Sequence, residues 1–240
     1  SDCEITSAAI HAPTGKVALL SYNKVWIFSD YTEDDFASGN VEKIKLERNL
    51  NQALFNDEFS MHYQPILDFK SGNIAGFEAL IRWNHRLYGF ISPEKIIEAA
   101  ERVGIIQKLS LYVLEKAITE CAHWHTMGHA ISVSVNLSVR DLTNRTLCNQ
   151  IQAMLDKNHL SYQYLIVEIT ESVMMENLAA SLEQLNKISD LGIGVSIDDY
   201  GTGFSSLAYL KRLPVSELKI DKSFIMDIID DENDKELVNS

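Results

Sequence analysis

Val195-Ser196-Ile197-Asp198-Asp199-Tyr200-Gly201-Thr202-Gly203-Phe204-Ser205-Ser206-Leu207 is the stretch on which the reading of this chain turns. A short β-branched run ends in two adjacent carboxylates. Two glycines bracketing a threonine follow, and Ser-Ser-Leu then reads as the start of a helix. A strand therefore delivers acids to its C-terminal end and turns sharply. Neighbouring residues on a strand point to opposite faces. Asp198 and Asp199 share one site only where the strand is ending and the backbone has begun to turn. Oxygen ligands on such a tip suit a hard divalent cation. An Asp cap followed by a glycine turn accounts for one of the two acids and poorly for the pair.

Outward from this point, strands and helices alternate. On the N-terminal side, the pattern predicts a helix over 178–191 ended by Gly192, a strand over 165–170, a helix over 142–157 and a strand over 131–137. Before these come two helices, about 105–127 and from Pro93 to about 103, the latter with Ser92 as N-cap. Earlier still, Phe59 to Leu67 and Ile74 to Trp83 flank Lys70-Ser71-Gly72-Asn73, so the first strand pair is antiparallel. On the C-terminal side the pattern gives a helix over 205–212, a strand over 217–221 and a helix from Ser223. Such alternation with short connections implies parallel strands with helical crossovers. The later strands read as apolar throughout, as strands buried on both faces do. No glycine-rich phosphate loop follows the first strand, which weakens the dinucleotide-binding fold.

Residues 41–55 form an amphipathic helix, with Ile44, Leu46, Leu50, Ala53 and Leu54 on one face. Residues 1–40 stand apart. Val17 to Tyr22 and Val25 to Asp30 flank Asn23-Lys24 and predict a β-hairpin. Forty residues are too few for an independent core, so this piece is either a pairing extension or the tail of a preceding domain.

Composition narrows the function. The net charge of −13 argues against a nucleic-acid polymer as partner, since phosphate backbones need clustered Lys and Arg. An anionic small molecule held by metal and a few local cations remains compatible. Three widely spaced cysteines, Cys3, Cys121 and Cys148, suggest neither a disulfide framework nor a zinc site. A reducing, cytoplasmic setting follows, or the cytoplasmic portion of a membrane-bound sensor. No apolar run reaches the length of a membrane span.

The strand ends carry the chemistry. The second strand holds Glu78 and Arg82, the third ends in Asn136, the fourth in Glu168 to Glu171, the fifth in Asp198-Asp199 and the sixth in Lys219-Ile220-Asp221. In a closed barrel these tips converge on one mouth; in an open sheet they string along an edge. Convergence favours the barrel. Glu78 and Glu168 lie inside apolar runs, where an unpaired carboxylate is costly, and Lys219 between Leu218 and Ile220 is the reciprocal case. Asn136 and Thr170, taken singly, read better as helix caps, and Glu171 equally well as a first-turn helix carboxylate. The histidines, including His123 and His125 two apart on one helix, read as structural or solvated. Several carboxylates with an amide suit one or two Mg²⁺ or Mn²⁺ ions, and two such ions polarise a phosphodiester and activate a water. Lys219 could orient that water or offset carboxylate repulsion. Arg82 would take a phosphate oxygen.

These residues together resemble the EAL-domain cyclic di-GMP phosphodiesterases. The resemblance rests on Tyr63-Gln64-Pro65-Ile66, Phe77 to Trp83, Ser134 to Ser138, Glu168 to Glu171, Asp198 to Gly203 and Leu218 to Asp221, in family order over about residues 45 to 230. It implies an α/β fold, a TIM-like (β/α) barrel with an antiparallel first strand, and hydrolysis of cyclic di-GMP to linear pGpG. Carried over by motif, Glu78, Asn136, Glu168 and Asp198 ligate metal, Asp199 holds a second ion and Lys219 serves the water. Gln64, Leu80, Arg82 and Asp221 meet substrate, and Glu171 anchors the loop after the fifth strand, through which family members couple dimerisation to metal binding. A homodimer is the implied assembly. An alternative within the family is a catalytically inactive receptor or scaffold. More faintly, Ala8 to Gly15 and Trp26-Ile27-Phe28 resemble the closing helix and strand of a diguanylate-cyclase (GGDEF) domain, which would precede the EAL domain of residues 41–240.

Two departures from the family pattern stand out. Arg86 occupies a position where proline is common. The chain also stops at Ser240, before the family's seventh strand, with its catalytic Glu, and its eighth. The expectation is a barrel incomplete by two strands and impaired in catalysis by itself.

Overall fold

The structure is a computed structural model that describes residues 9–11, 16–21, 24–27, 49–171, 178–201, 213–221 and 223–224. The chain divides into two compact units, Ser1–Lys43 and Ile44–Ser240.

The first unit holds β1 (Ala9–His11), β2 (Lys16–Ser21) and β3 (Lys24–Ile27), an antiparallel sheet in the order β1-β2-β3. The expected hairpin is β2–β3, with Ser21 opposite Lys24. Ala9 to His11 form a strand paired with Lys16 to Ala18, where the GGDEF resemblance implied a helix. Pro13 supplies the reason: within a helix over 8–15 it would remove a backbone hydrogen bond and clash with the preceding turn.

The second unit begins with helix α1 (49–55). Its strands are β4 (Phe59–Leu67), β5 (Ile74–His85), β6 (Gly89–Ile91), β7 (Ser132–Asn136), β8 (Leu165–Thr170), β9 (Gly194–Tyr200) and β10 (Glu217–Ile220). Between β6 and β7 lie α2 (Pro93–Arg102) and α3 (Ile106–Thr126); between β7 and β8 lie α4 (Val139–Leu142) and α5 (Leu147–Lys157); α6 (Leu178–Asp190) precedes β9. The strand order is β10-β9-β8-β7-β5-β4, with β6 on the outer end of β5. β4 and β5 are antiparallel, and every other neighbour along this path is parallel. This is the TIM-like barrel with an antiparallel first strand. Among the described residues, β4 and β10 are the two ends of the sheet, and the ring is open between them.

Two local readings change. The helix expected over 142–157 begins only at Leu147 as α5, and the short α4 precedes it, opened by Ser138 with a capping box whose partner is Asp141. Asn144 then holds Thr146 through its side chain before α5 begins. β6 was not foreseen, since three residues pairing Phe90 with Asn84 leave no periodic signal. The expected helix over 205–212 and residues 41–48 of the first helix lie outside the described residues.

The strands are apolar throughout on their helix-facing side and mixed on the other, where Ile166 alternates with Glu168. Val133, Val135, Leu165, Val167, Ile169, Val195 and Ile197 are buried and share one core with Leu114 and Ile118 of α3, Ile151 and Leu155 of α5, and Leu185 and Ile188 of α6. The opposite, inward face carries Ser134, Glu168, Ser196 and Asp198, the first three fully buried. The apolar reading of the later strands thus holds for their helix-facing residues, while the barrel interior is mixed.

Close strand approach also fixes Gly76. A Cβ there would lie 2.9 Å from the Ser132 backbone oxygen of the neighbouring strand β7. Gly76→Ala is expected to destabilise the fold by about 1–3 kcal/mol through overpacking, read as a lower midpoint in equilibrium urea unfolding. An unchanged midpoint would mean that the strands separate freely at this point.

Candidate active site

The site is built at the C-terminal ends of the parallel strands. Inward residues alternate along each strand, which brings Glu78 of β5, Asn136 of β7, Glu168 of β8, Asp198 of β9 and Lys219 of β10 to one end of the barrel. Register sets Asn136 beside Glu168 and Thr170 beside Asp198. Oxygens of Glu78, Glu168 and Asp198 lie within 4.8 Å of one another.

Lys219 sits among them. Its Nζ donates to Glu168 Oε2 at 2.7 Å and Glu78 Oε2 at 3.0 Å, and lies 3.8 Å from Asp198 Oδ2. The Asn136 side-chain amide donates to Glu78 Oε1 at 2.8 Å. Burial alone would disfavour the ammonium, yet Glu168 and Glu78 outweigh it and hold Lys219 protonated above its ordinary range. Glu168 is fully buried, and burial, with the charge of Glu78 added, pushes its carboxyl up to about 7. One ammonium among three carboxylates leaves the cluster short of positive charge. Glu168 Oε1, buried, has no hydrogen-bond partner. A buried acceptor with nothing to accept from, in a nest of oxygens, fits a hard cation.

Asp199 turns away from the three-carboxylate cluster. Its φ is +54°, a left-handed conformation that re-aims the chain as β9 ends, and its backbone N–H is held by Asp198 Oδ1 at 3.0 Å. Burial, then Asp198, then Asp221 push its carboxyl above the ordinary range. Asp199 and Asp221 therefore form a second acidic pair beside the first. Glu171 is buried and accepts from the Gly201 backbone N–H at 3.1 Å. Gly201 has φ +103°, and a Cβ there would meet the Phe224 ring at 2.7 Å, so this junction admits only glycine. The rest of the loop, from Thr202, lies outside the described residues.

Gln64 is directly opposite Glu78 across β4–β5, and Leu80 and Arg82 follow on the same face of β5. Arg82 is half-buried and donates to the Ile81 carbonyl. Asn136 is no helix cap, because Ser138 takes that place. His125 bonds the Ile131 carbonyl and packs edge-on against Tyr164, a structural role, and His123 is exposed. Cys121 and Cys148 are buried free thiols. No helix among the described residues is long and apolar enough to cross a membrane.

Comparison with known proteins meets this geometry from outside. The family model described as EAL domain matches residues 47–240. The chain is 38% identical over 201 residues to the cyclic di-GMP phosphodiesterase NbdA of Pseudomonas aeruginosa, covering 83% of this chain and 26% of that protein. It is 38% identical over 211 residues to the bifunctional diguanylate cyclase/cyclic di-GMP phosphodiesterase MucR of the same organism, covering 88% of this chain and 31% of that protein. The chain thus spans about a third or less of these relatives. Among solved structures it is similar to the PaMucR phosphodiesterase in complex with c-di-GMP, with a TM-score of 0.76 at 40% identity over 81% of this chain and 79% of that one. The cAMP- and cyclic-di-GMP-bound form of the EAL enzyme Bd1971 gives 0.75 at 34% identity, over 84% and 56%.

The charge count makes a prediction. Lys219→Met removes the ammonium from three converging carboxylates and is expected to cost about 3–5 kcal/mol in metal-free buffer, the loss typical of a broken buried pair. Millimolar Mg²⁺ or Mn²⁺ should recover part of that loss in thermal melts. A variant as stable as wild type without metal would mean that the carboxylates do not repel one another.

Proposed function

The chain belongs to the EAL domain family, and from that premise we propose that it is a metal-dependent phosphodiesterase that opens cyclic di-GMP to linear pGpG. The observation that carries this reading is the convergence of Glu78, Glu168 and Asp198 on Lys219, three carboxylates within 4.8 Å of one another around one ammonium.

Glu78, Asn136, Glu168 and Asp198 would hold a divalent ion, Mg²⁺ or Mn²⁺, and Asp199, beside Asp221, a second. Bound there, the metal supplies positive charge to the phosphodiester and a water acidified at neutral pH. The chain's own residues do the rest. Lys219, whose ammonium Glu168 and Glu78 hold charged in the metal-free chain, would donate to the attacking oxygen to orient it and would offset negative charge. Arg82 offers a second fixed cation at the mouth for a non-bridging phosphate oxygen, and Gln64 and Leu80 line the same wall. Water adds across one phosphodiester bond and the ring opens.

We place this activity in the cytoplasm, in a homodimer whose Glu171–Gly201 contact fixes the start of the regulatory loop, with residues 1–40 as the end of a preceding domain. The relatives being much longer than this chain, a sensory or GGDEF domain upstream belongs to the same reading.

Incubated with cyclic di-GMP and Mg²⁺ or Mn²⁺, the intact protein to which this EAL domain belongs should form pGpG, resolved by anion-exchange chromatography, whereas residues 1–240 alone should turn over more slowly. Glu78→Ala should lower kcat by at least 100-fold with its melting temperature preserved in metal-free buffer. Tight binding without turnover under either metal would make the domain a receptor.

A further inference from the structure

Asn136 ends β7, and the turn that follows it is gripped from two sides. On one side, the Leu137 N–H donates to the Glu168 carbonyl at 2.8 Å, which carries the β7–β8 ladder one residue past Asn136. On the other, Asp141 Oδ2 accepts three hydrogen bonds. They come from the Ser138 backbone N–H at 2.7 Å, the Ser138 hydroxyl at 2.6 Å and the Ser110 hydroxyl of α3 at 2.7 Å. The capping box of α4 accounts for the first of these. Ser110 belongs to no cap. It is a buried hydroxyl on the face of α3 that also buries Ile106, Leu109, Val113 and Leu114, and it reaches Asp141 across 31 residues of chain. One turn earlier on α3, Gln107 donates to the Arg140 carbonyl at 2.6 Å. The core helix α3 is thus fastened to this turn at two points. Asp141 is only 1% exposed, a depth at which a carboxyl group is costly without such a set of donors.

The grip bears on Asn136. Its amide nitrogen is committed to Glu78 Oε1 at 2.8 Å, so its oxygen is the atom it can offer a cation. Where that oxygen points depends on how β7 ends, and Ser138, two residues on, is where the backbone leaves the strand. Resting on the metal-dependent reading of the preceding subsection, we propose that Asp141, braced by Ser110, is a positioning residue that aims Asn136 at the metal. It touches neither ion nor substrate and acts through the Ser138 backbone.

The test is Mn²⁺ binding to the intact protein, read from the loss of the free-ion EPR signal, in wild type, Asp141→Ala, Asp141→Asn and Ser110→Ala. Thermal melts run alongside, binding is measured well below every melting midpoint, and Glu78→Ala identifies the ion held at this site. We expect Asp141→Ala to weaken that ion's binding about tenfold or more, the loss usual when an outer partner of a metal ligand is removed. In turnover assays kcat should fall by a similar factor, with KM for cyclic di-GMP within about twofold. Asp141→Asn keeps an acceptor oxygen for the Ser138 N–H and should recover most of the Mn²⁺ affinity. Ser110→Ala should weaken binding in the same direction by a smaller factor. A lower melting midpoint in Asp141→Ala with Mn²⁺ affinity unchanged reduces Asp141 to a helix cap and overturns this inference alone. A wild-type protein with no Mn²⁺ site sensitive to Glu78→Ala removes the metal-dependent reading and this inference with it. Should Asp141→Ala fail to fold, Ser110→Ala decides: weakened Mn²⁺ binding supports the inference, and wild-type affinity overturns it.

Discussion

The structure depends on an imbalance of charge at one point. Glu78, Glu168 and Asp198 converge on a single ammonium, that of Lys219, in surroundings that exclude water from Glu168 altogether. Carboxylates brought that close repel unless something positive stands between them. Lys219 satisfies part of the demand and is held charged in return; the remainder shows as a Glu168 carboxyl pushed up to about 7 and an oxygen without a partner. Chains fold to avoid such arrangements unless the arrangement has a use. Here the unmet demand for positive charge is what a divalent ion supplies.

The barrel makes this crowding possible. Parallel strands carry their inward residues to one end, and the helix-facing alternates bury enough apolar surface to hold the strands in register against the repulsion. The small inward residues Ser134 and Ser196, and the close approach at Gly76, let the strands draw in beneath the cluster. β4 contributes differently. Running against the others, it supplies a wall of Ser60, His62 and Gln64 opposite Arg82, Leu80 and Glu78 in place of an acidic tip.

Much of this was legible in the chain. The acids stood out because each interrupts a β-branched run, where an unpaired charge is costly, and six strands could be placed from alternation alone. What escaped was whatever alternation does not encode. β6 is three residues long and is defined only by its pairing with β5. The division of α4 from α5 lies in side-chain bonds of Ser138, Asp141 and Asn144, which compete locally with a continuous helix. The strand at Ala9–His11 depended on weighing Pro13 against a faint family likeness. Both faces of these strands are buried, but Ser134, Glu168 and Ser196 stand singly between apolar neighbours, and so the polar character of the inward face was not legible.

The β4–β5 hairpin has a consequence in folding order. The wall from Ser60 to Arg82 is encoded in one continuous segment, and its contacts close across a short turn. The acidic cluster is different, since Lys219 must find Glu78 across 141 residues of chain, with every intervening strand already in line. Local contacts form cheaply and distant ones late. The surface proposed to meet a ligand and the chemistry that would consume it therefore mature at separate stages. They are also lost separately: fraying of β10, one end of the sheet among the described residues, removes Lys219 and leaves the hairpin standing.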